Sequence, residues 1–182
     1  MKNRGIWLAI IVGLQSLWLI GTAISKETNL HRATPANTVL LETIPVDPRD
    51  LLRGDYVILN YKISSMPVTM LRSTGGSTLD GRTVWVALEK RDKFHEIAEA
   101  SLSPLEEKPG QIIARGTLES SRWGPSTTIN VNYGIERYYV PEGLGNPDGK
   151  VTVECVVTDD RSLQIKQLYV RDRPFDRTAD RR

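Results

Sequence analysis

The sequence is poor in the residues that form disulfides and metal sites. Its 182 residues include one cysteine, Cys155, and two histidines, His31 and His95. A single cysteine cannot form an internal disulfide, and two well-separated histidines do not match a zinc-binding spacing. Cys155 stands in the apolar run 151–157, so we expect a small buried core residue rather than a nucleophile. No cofactor or metal is predicted.

The sequence also lacks a clustered basic region in its body. The net charge is only +2, and positive charge is concentrated at the two ends, in Lys2, Arg4 and the arginine-rich tail 171–182. Nucleic-acid-binding proteins usually carry a basic face, and the body between these ends is net negative. No glycine-rich phosphate loop and no internal repeat is evident. We therefore expect no nucleic-acid partner.

A long uncharged segment is present near the N-terminus. Residues 5–24 contain no charged side chain and follow Lys2 and Arg4. Twenty helical residues span about 30 Å, the thickness of the hydrocarbon core of a bilayer. The segment predicts a signal-anchor transmembrane helix over residues 1–24, in contact with the lipid bilayer through residues 5–24. The basic head predicts a cytoplasmic N-terminus and an extracytoplasmic main domain, periplasmic or equivalent.

Two details bear on the ends of this segment. Gly21 and Ala23 are small residues at a spacing that a cleavable signal peptide would use, so cleavage is the alternative to a retained anchor. Residues 25–38 are polar and contain Pro35, which predicts a juxtamembrane linker.

The body has the pattern of a mostly β protein. Runs rich in β-branched and aromatic residues predict strands over 39–46, 56–64, 83–89, 111–119 and 127–133, and a hairpin over 150–158 and 162–171. Residues 94–102 suit a helix by composition, but their position favours a returning hairpin strand. Residues 67–81 read as a loop. The prediction is a sandwich or open barrel of seven to eight strands over 39–171, followed by a loose charged tail over 172–182.

Two motifs stand in this body. Residues 54–61, from Gly54 to Tyr61, read G-D-Y-x-x-L-x-Y and follow the turn-rich stretch 45–53; residues 133–143 read Y-G-I-E-R-Y-Y-V-P-E-G. Together with the N-terminal apolar segment, they resemble the GDYXXLXY family of uncharacterised membrane-anchored bacterial proteins. The resemblance runs from the apolar segment to the final hairpin. It implies a topology and a domain, and it supplies no catalytic residues.

The chemistry of the first motif is that of a turn leading into a strand. Gly54 suits a backbone conformation that a side chain would forbid, and Asp55 can accept hydrogen bonds from nearby backbone N–H groups. Leu59 and Tyr61 share one strand face, and Tyr56 falls on the other. A pinned structural corner is one interpretation, and a binding surface built around the same corner is the other.

We expect the two motifs to lie side by side and to form a candidate interaction surface. Acidic, arginine and tyrosine side chains are concentrated there. The surface comprises Asp47, Arg49, Asp50, Arg53, Gly54, Asp55, Tyr56, Leu59 and Tyr61 from the first motif, and Tyr133, Gly134, Glu136, Tyr138, Tyr139, Pro141, Glu142 and Gly143 from the second.

Two functions remain open at this point. The first is a membrane-anchored, extracytoplasmic β module that engages another membrane or envelope protein. The second is an envelope hydrolase or metal-dependent enzyme that uses the acidic cluster of Asp47, Asp50, Asp55 and Glu136. Carboxylates converging in an open pocket would favour the enzyme. Carboxylates paired with arginine or with backbone N–H groups would favour the module.

Overall fold

The computed structural model describes residues 3–44, 56–72, 79–119, 127–139 and 149–175. In these residues the chain is mostly β-strand, with one helix near the N-terminus. The chain divides into two compact units, Met1–Ala33 and Thr34–Arg182. The predicted fold class is confirmed at this level, since the strands form several sheets rather than a closed barrel in the described part of the chain.

The helix α1 spans Asn3–His31. It therefore continues through the first half of the segment predicted as a linker, which is a correction to the sequence-based boundary at residue 24. No proline or glycine stands between Ile24 and Pro35, and the Thr28 hydroxyl donates to the Ile24 carbonyl oxygen at 2.8 Å within the helix. Among the residues that the structure describes, no helix is both long enough and apolar enough to cross a membrane.

The strands form two main sheets and a small ribbon. In chain order they are β1 (Thr38–Ile44), β2 (Tyr56–Ile58), β3 (Asn60–Tyr61), β4 (Ser65–Pro67), β5 (Leu71–Arg72), β6 (Thr83–Arg91), β7 (Phe94–Ser101), β8 (Gln111–Glu119), β9 (Thr128–Asn132), β10 (Arg137–Tyr139), β11 (Val151–Val157), β12 (Leu163–Val170) and β13 (Arg173–Pro174). One sheet has the order β13-β12-β11-β1-β3, the other has the order β4-β9-β8-β6-β7-β5, and β10 pairs with β2.

One hydrophobic core is shared by both main sheets. Along β1 the buried residues Val39 and Leu41 alternate with partly exposed ones, as expected for a strand with one face in the core. The core combines them with residues of the second sheet such as Val84, Val86 and Leu118. Cys155 is a free cysteine inside this core, as predicted, and burial raises the pKa of its thiol well above the ordinary range.

Several predicted strands keep their boundaries. Strand β8 has the predicted range, and β7 is the returning partner of β6 in a tight hairpin. Strands β11 and β12 form the predicted final hairpin, with Arg161 in the left-handed backbone region at its turn. These segments share strong β-branched content and short polar turns, which fix both strand identity and register.

The predicted strand 56–64 is broken into three pieces. Strand β2 pairs with β10, whereas β3 pairs with β1, and residues Lys62–Ser64 form a 3₁₀ turn. The break falls at Leu59, whose N–H donates to the Glu136 carbonyl oxygen at 2.8 Å instead of joining a strand ladder. The chain changes sheets at this point, which sequence alternation alone does not reveal. Such division, together with short strands that were not predicted, gives thirteen strands in the described residues rather than seven or eight.

Two segments predicted as irregular contain strand residues. Ser65–Pro67 and Leu71–Arg72 are short strands at the two edges of the six-stranded sheet. Pro67 and Leu71–Arg72 fall within the predicted loop 67–81. Proline is tolerated at such an edge position. The tail predicted to be loose from residue 172 begins with β13, which pairs with β12, and the Phe175 N–H donates to the Leu168 carbonyl oxygen at 2.8 Å.

Candidate interaction surface

Part of the predicted surface lies outside the described residues. These positions are Asp47, Arg49, Asp50, Arg53, Gly54 and Asp55 of the first motif, and Pro141, Glu142 and Gly143 of the second. The described members are Tyr56, Leu59, Tyr61, Tyr133, Gly134, Glu136, Tyr138 and Tyr139.

The described parts of the two motifs lie side by side. Strand β2 of the first motif pairs antiparallel with β10 of the second, with Tyr56 opposite Tyr139 and Val57 opposite Tyr138. The predicted adjacency is therefore observed for these stretches. Because opposite residues in an antiparallel pair share a face, Tyr56 and Tyr139 fall on one side of the ribbon, and Val57 and Tyr138 on the other.

Two buried tyrosines lock the motifs together in a reciprocal arrangement. The Tyr61 hydroxyl donates to the carbonyl oxygen of Ile135 at 2.8 Å, and the Tyr133 hydroxyl donates to the carbonyl oxygen of Ile63 at 3.1 Å. The second motif thus supplies the acceptor for one bond and the donor for the other, while the Ile63 acceptor lies two residues after the first motif. Burial raises the pKa of both phenols far above the ordinary range, so both act as neutral hydrogen-bond donors at physiological pH.

The start of the second motif is a turn held by its own side chains. Gly134 has φ +79°, a left-handed conformation that glycine adopts without steric cost. A Glu136 carboxylate oxygen accepts the Tyr133 N–H at 2.6 Å, and the Asn132 side-chain oxygen accepts the Gly134 N–H at 2.9 Å. The Y-G-x-E pattern is therefore explained by turn formation. It presents the Ile135 carbonyl oxygen to Tyr61.

The outer face of the β2–β10 ribbon carries an aromatic and cationic surface. The rings of Tyr56 and Tyr139 stand 6.1 Å apart at an interplanar angle of 59°. The Arg137 guanidinium carbon lies 5.6 Å from the centre of the Tyr56 ring. Tyr139 is 66% exposed. We call Tyr56, Arg137 and Tyr139 the tyrosine–arginine patch.

The motif residues thus divide into two groups. Leu59, Tyr61, Tyr133 and Tyr138 are buried and hold the corner together. Tyr56 and Tyr139 reach the surface. Arg137 is not among the residues predicted from the sequence for this surface. Arg137 and Tyr139 are two residues apart, and this spacing in a strand is the signal that would have placed them side by side on one face.

Glu136 is the one member of the predicted acidic cluster among the described residues, since Asp47, Asp50 and Asp55 lie outside them. One oxygen of the Glu136 carboxylate is engaged by backbone N–H, as expected for a turn cap. In the part of the chain that the structure describes, no group of three or more histidine, cysteine, aspartate or glutamate residues is arranged to hold a metal ion. The hydrolase or metal-dependent enzyme therefore stays a prediction.

Comparison with known proteins identifies the family. The model of the family described as GDYXXLXY protein matches residues 15–158, which is most of the chain. The protein belongs to this family, as the two motifs predict. No curated protein and no solved structure matches the chain significantly.

Proposed function

We propose that this protein is a membrane-tethered binding module whose β domain engages another protein of the cell envelope through the tyrosine–arginine patch. The observation that carries the proposal is the composition of this patch. Tyrosine and arginine are the residue types enriched at energetically dominant positions of protein interfaces. Here two tyrosines and one arginine share the outer face of one short ribbon.

The contacts of Arg137 indicate the chemistry of the partner. Arg137 forms no ion pair with any described residue, and its guanidinium lies near the Tyr56 ring instead. The guanidinium retains donors that match a carboxylate, and the flanking rings offer apolar contact area. The partner surface that fits is a protein segment with an acidic residue beside apolar or aromatic ones.

The proposed membrane attachment is supported by the apolar side chains of α1 and by the basic residues before its apolar segment. Large apolar side chains of α1, including Leu8, Ile11, Leu14 and Leu17, are each at least half exposed in the structure. They lie on several sides of the helix, which leaves no continuous polar face for water. Basic residues before the apolar segment support a cytoplasmic N-terminus and an extracytoplasmic β domain.

Site-specific photocrosslinking in native membranes tests the proposal. With p-benzoylphenylalanine at position 139, we expect one discrete protein adduct, because this exposed ring lies at the centre of the proposed contact. The substitution Arg137→Glu should reduce adduct yield roughly tenfold, since a central interface arginine is typically worth more than about 1 kcal/mol. The matched control is Arg173→Glu, which makes the same charge change at an exposed strand residue outside the patch.

The proposal is wrong if the Arg137 and Arg173 variants crosslink equally well. It is also wrong if the photoreactive residue at the exposed control position 166 yields the same adduct as position 139.

A further inference from the structure

The β6–β7 hairpin and the outer face of the five-stranded sheet enclose a second feature, a groove that shares no residue with the tyrosine–arginine patch. Its volume is about 460 Å³. On the hairpin side it is lined by Lys90, Lys93 and His95, and on the sheet side by residues that include Leu40 and Glu154. This volume suits a small molecule rather than a protein segment.

Hairpin register places two donors next to each other in this groove. Lys90 and His95 are directly opposite on β6 and β7, so their side chains share a face. The Leu40 N–H donates to Nδ1 of His95 at 3.1 Å. Since Nδ1 is the acceptor, the neutral ring carries its proton on Nε2, which remains a donor. Burial lowers the pKa of His95 against an opposing effect of the Leu40 backbone, and the Lys90 charge lowers it further, so the ring stays neutral near pH 7.

The acidic groups around the groove are already occupied. Glu154 accepts Lys166 Nζ at 2.7 Å on one carboxylate oxygen and the Tyr169 hydroxyl at 2.8 Å on the other. Asp172 accepts Lys93 Nζ at 2.5 Å. The Lys166 and Tyr169 hydrogen bonds lower the pKa of Glu154 against the opposing effect of burial, so its carboxylate is ionised and engaged.

Two hydrogen-bond donors that line the groove therefore have no acceptor among the described residues. Lys90 forms no ion pair with any described residue, and Nε2 of His95 has no acceptor among them. An ammonium and an imidazole N–H side by side, with nearby acids already paired, match the acceptors of an oxyanion. Pro35 and Leu40 add apolar lining for an organic remainder.

We propose that this groove binds a small organic oxyanion, a carboxylate or a phosphate monoester, with its charged oxygens between Lys90 Nζ and His95 Nε2. Binding would use charge-assisted hydrogen bonds in a partly buried setting, where they are stronger than on an open surface. The site is independent of partner binding at the tyrosine–arginine patch.

The test is a nuclear magnetic resonance titration of the full-length, histidine-labelled chain in zwitterionic detergent. Inorganic phosphate and succinate are added separately at pH 7.5 and constant ionic strength. We expect saturable shifts of the His95 ring signals, whereas those of His31, the other histidine, should stay unchanged. Lys90→Met should weaken binding at least fivefold, and Lys108→Met, which removes an equal charge from outside the groove lining, should have no effect.

The relative affinities of the two ligands distinguish which class of oxyanion the groove binds. Tighter binding of phosphate assigns a phosphate monoester, and tighter binding of succinate assigns a carboxylate. Three results would overturn the proposal: no saturable shift with either ligand, parallel shifts of both histidines, or equal weakening by the Lys90 and Lys108 substitutions. Circular dichroism of each variant checks that the exposed lysine substitutions leave the fold intact.

Discussion

At the residue scale, the family motif is explained mainly by its buried members. The final tyrosine of G-D-Y-x-x-L-x-Y, Tyr61, is only 1% exposed, and its hydroxyl satisfies the Ile135 carbonyl oxygen in the core. Leu59 is equally buried and marks the point where the chain changes sheets. Of the two tyrosines of this motif, Tyr56 is the partly exposed one. The buried motif residues thus form a structural corner, and the tyrosine–arginine patch lies on the surface of that corner.

This assignment predicts the cost of removing one oxygen atom. Tyr61→Phe leaves the buried Ile135 carbonyl oxygen without its donor, so we expect the free energy of unfolding to fall by about 1–2 kcal/mol. The measurement is urea unfolding of the wild-type and variant chains. Tyr139→Phe is the matched control, because its ring is exposed and should change stability by less than about 0.5 kcal/mol. Equal stability of the two variants would contradict a structural role for the Tyr61 hydroxyl.

At the element scale, the sequence predicts local strand pairing better than it predicts changes of partner. The turn at Asp92 and Lys93 sets the register of the β6–β7 hairpin, and strong β-branched content identifies β8 and β11. The switch at Leu59 depends on a hydrogen bond to Glu136, far along the chain. Likewise, the groove depends on a contact between His95 and β1. Sequence reasoning finds His95 but not its partner, because that contact is long-range and carries no periodic signal.

The bond between Leu40 and His95 joins the hairpin to β1, and the burial of His95 makes stability depend on pH. Protonation of Nδ1 would remove the acceptor for the Leu40 N–H, and the folded-state pKa of His95 lies below its ordinary value of about 6.5. The folded state therefore disfavours the proton more than the unfolded state does. The resulting stability is fully present above about pH 6.5 and is lost as the pH falls through the folded-state pKa.

We therefore expect wild-type unfolding free energy to fall more steeply between pH 7.5 and pH 5 than that of His95→Gln. Glutamine can accept the same N–H but does not titrate, while His31 and the carboxylates titrate in both chains. Urea unfolding at a series of pH values gives the difference directly. Parallel pH profiles for the two chains would show that His95 is not linked to stability.

At the scale of the whole molecule, the β unit contains its own core. Every buried residue of the described core cluster lies between Val39 and Leu168, within the unit Thr34–Arg182. A unit that buries its own apolar side chains should fold without the helix. No described residue of the helix belongs to that core cluster, and its exposed apolar side chains are suited to lipid in the proposed function.

The independent core of the β unit and the apolar surface of the helix together lead to one prediction, which compares a chain that begins at Thr34 with the full-length chain. The shorter chain should show a strand-dominated circular dichroism spectrum, unfold cooperatively in urea, and remain in the supernatant after ultracentrifugation. The full-length chain should sediment with membranes and resist alkaline carbonate, because a buried apolar helix is not released by weakening charge interactions. A helix-dominated or non-cooperative shorter chain would refute the independent core. Release of the full-length chain by carbonate would refute the tether and leave the core argument standing.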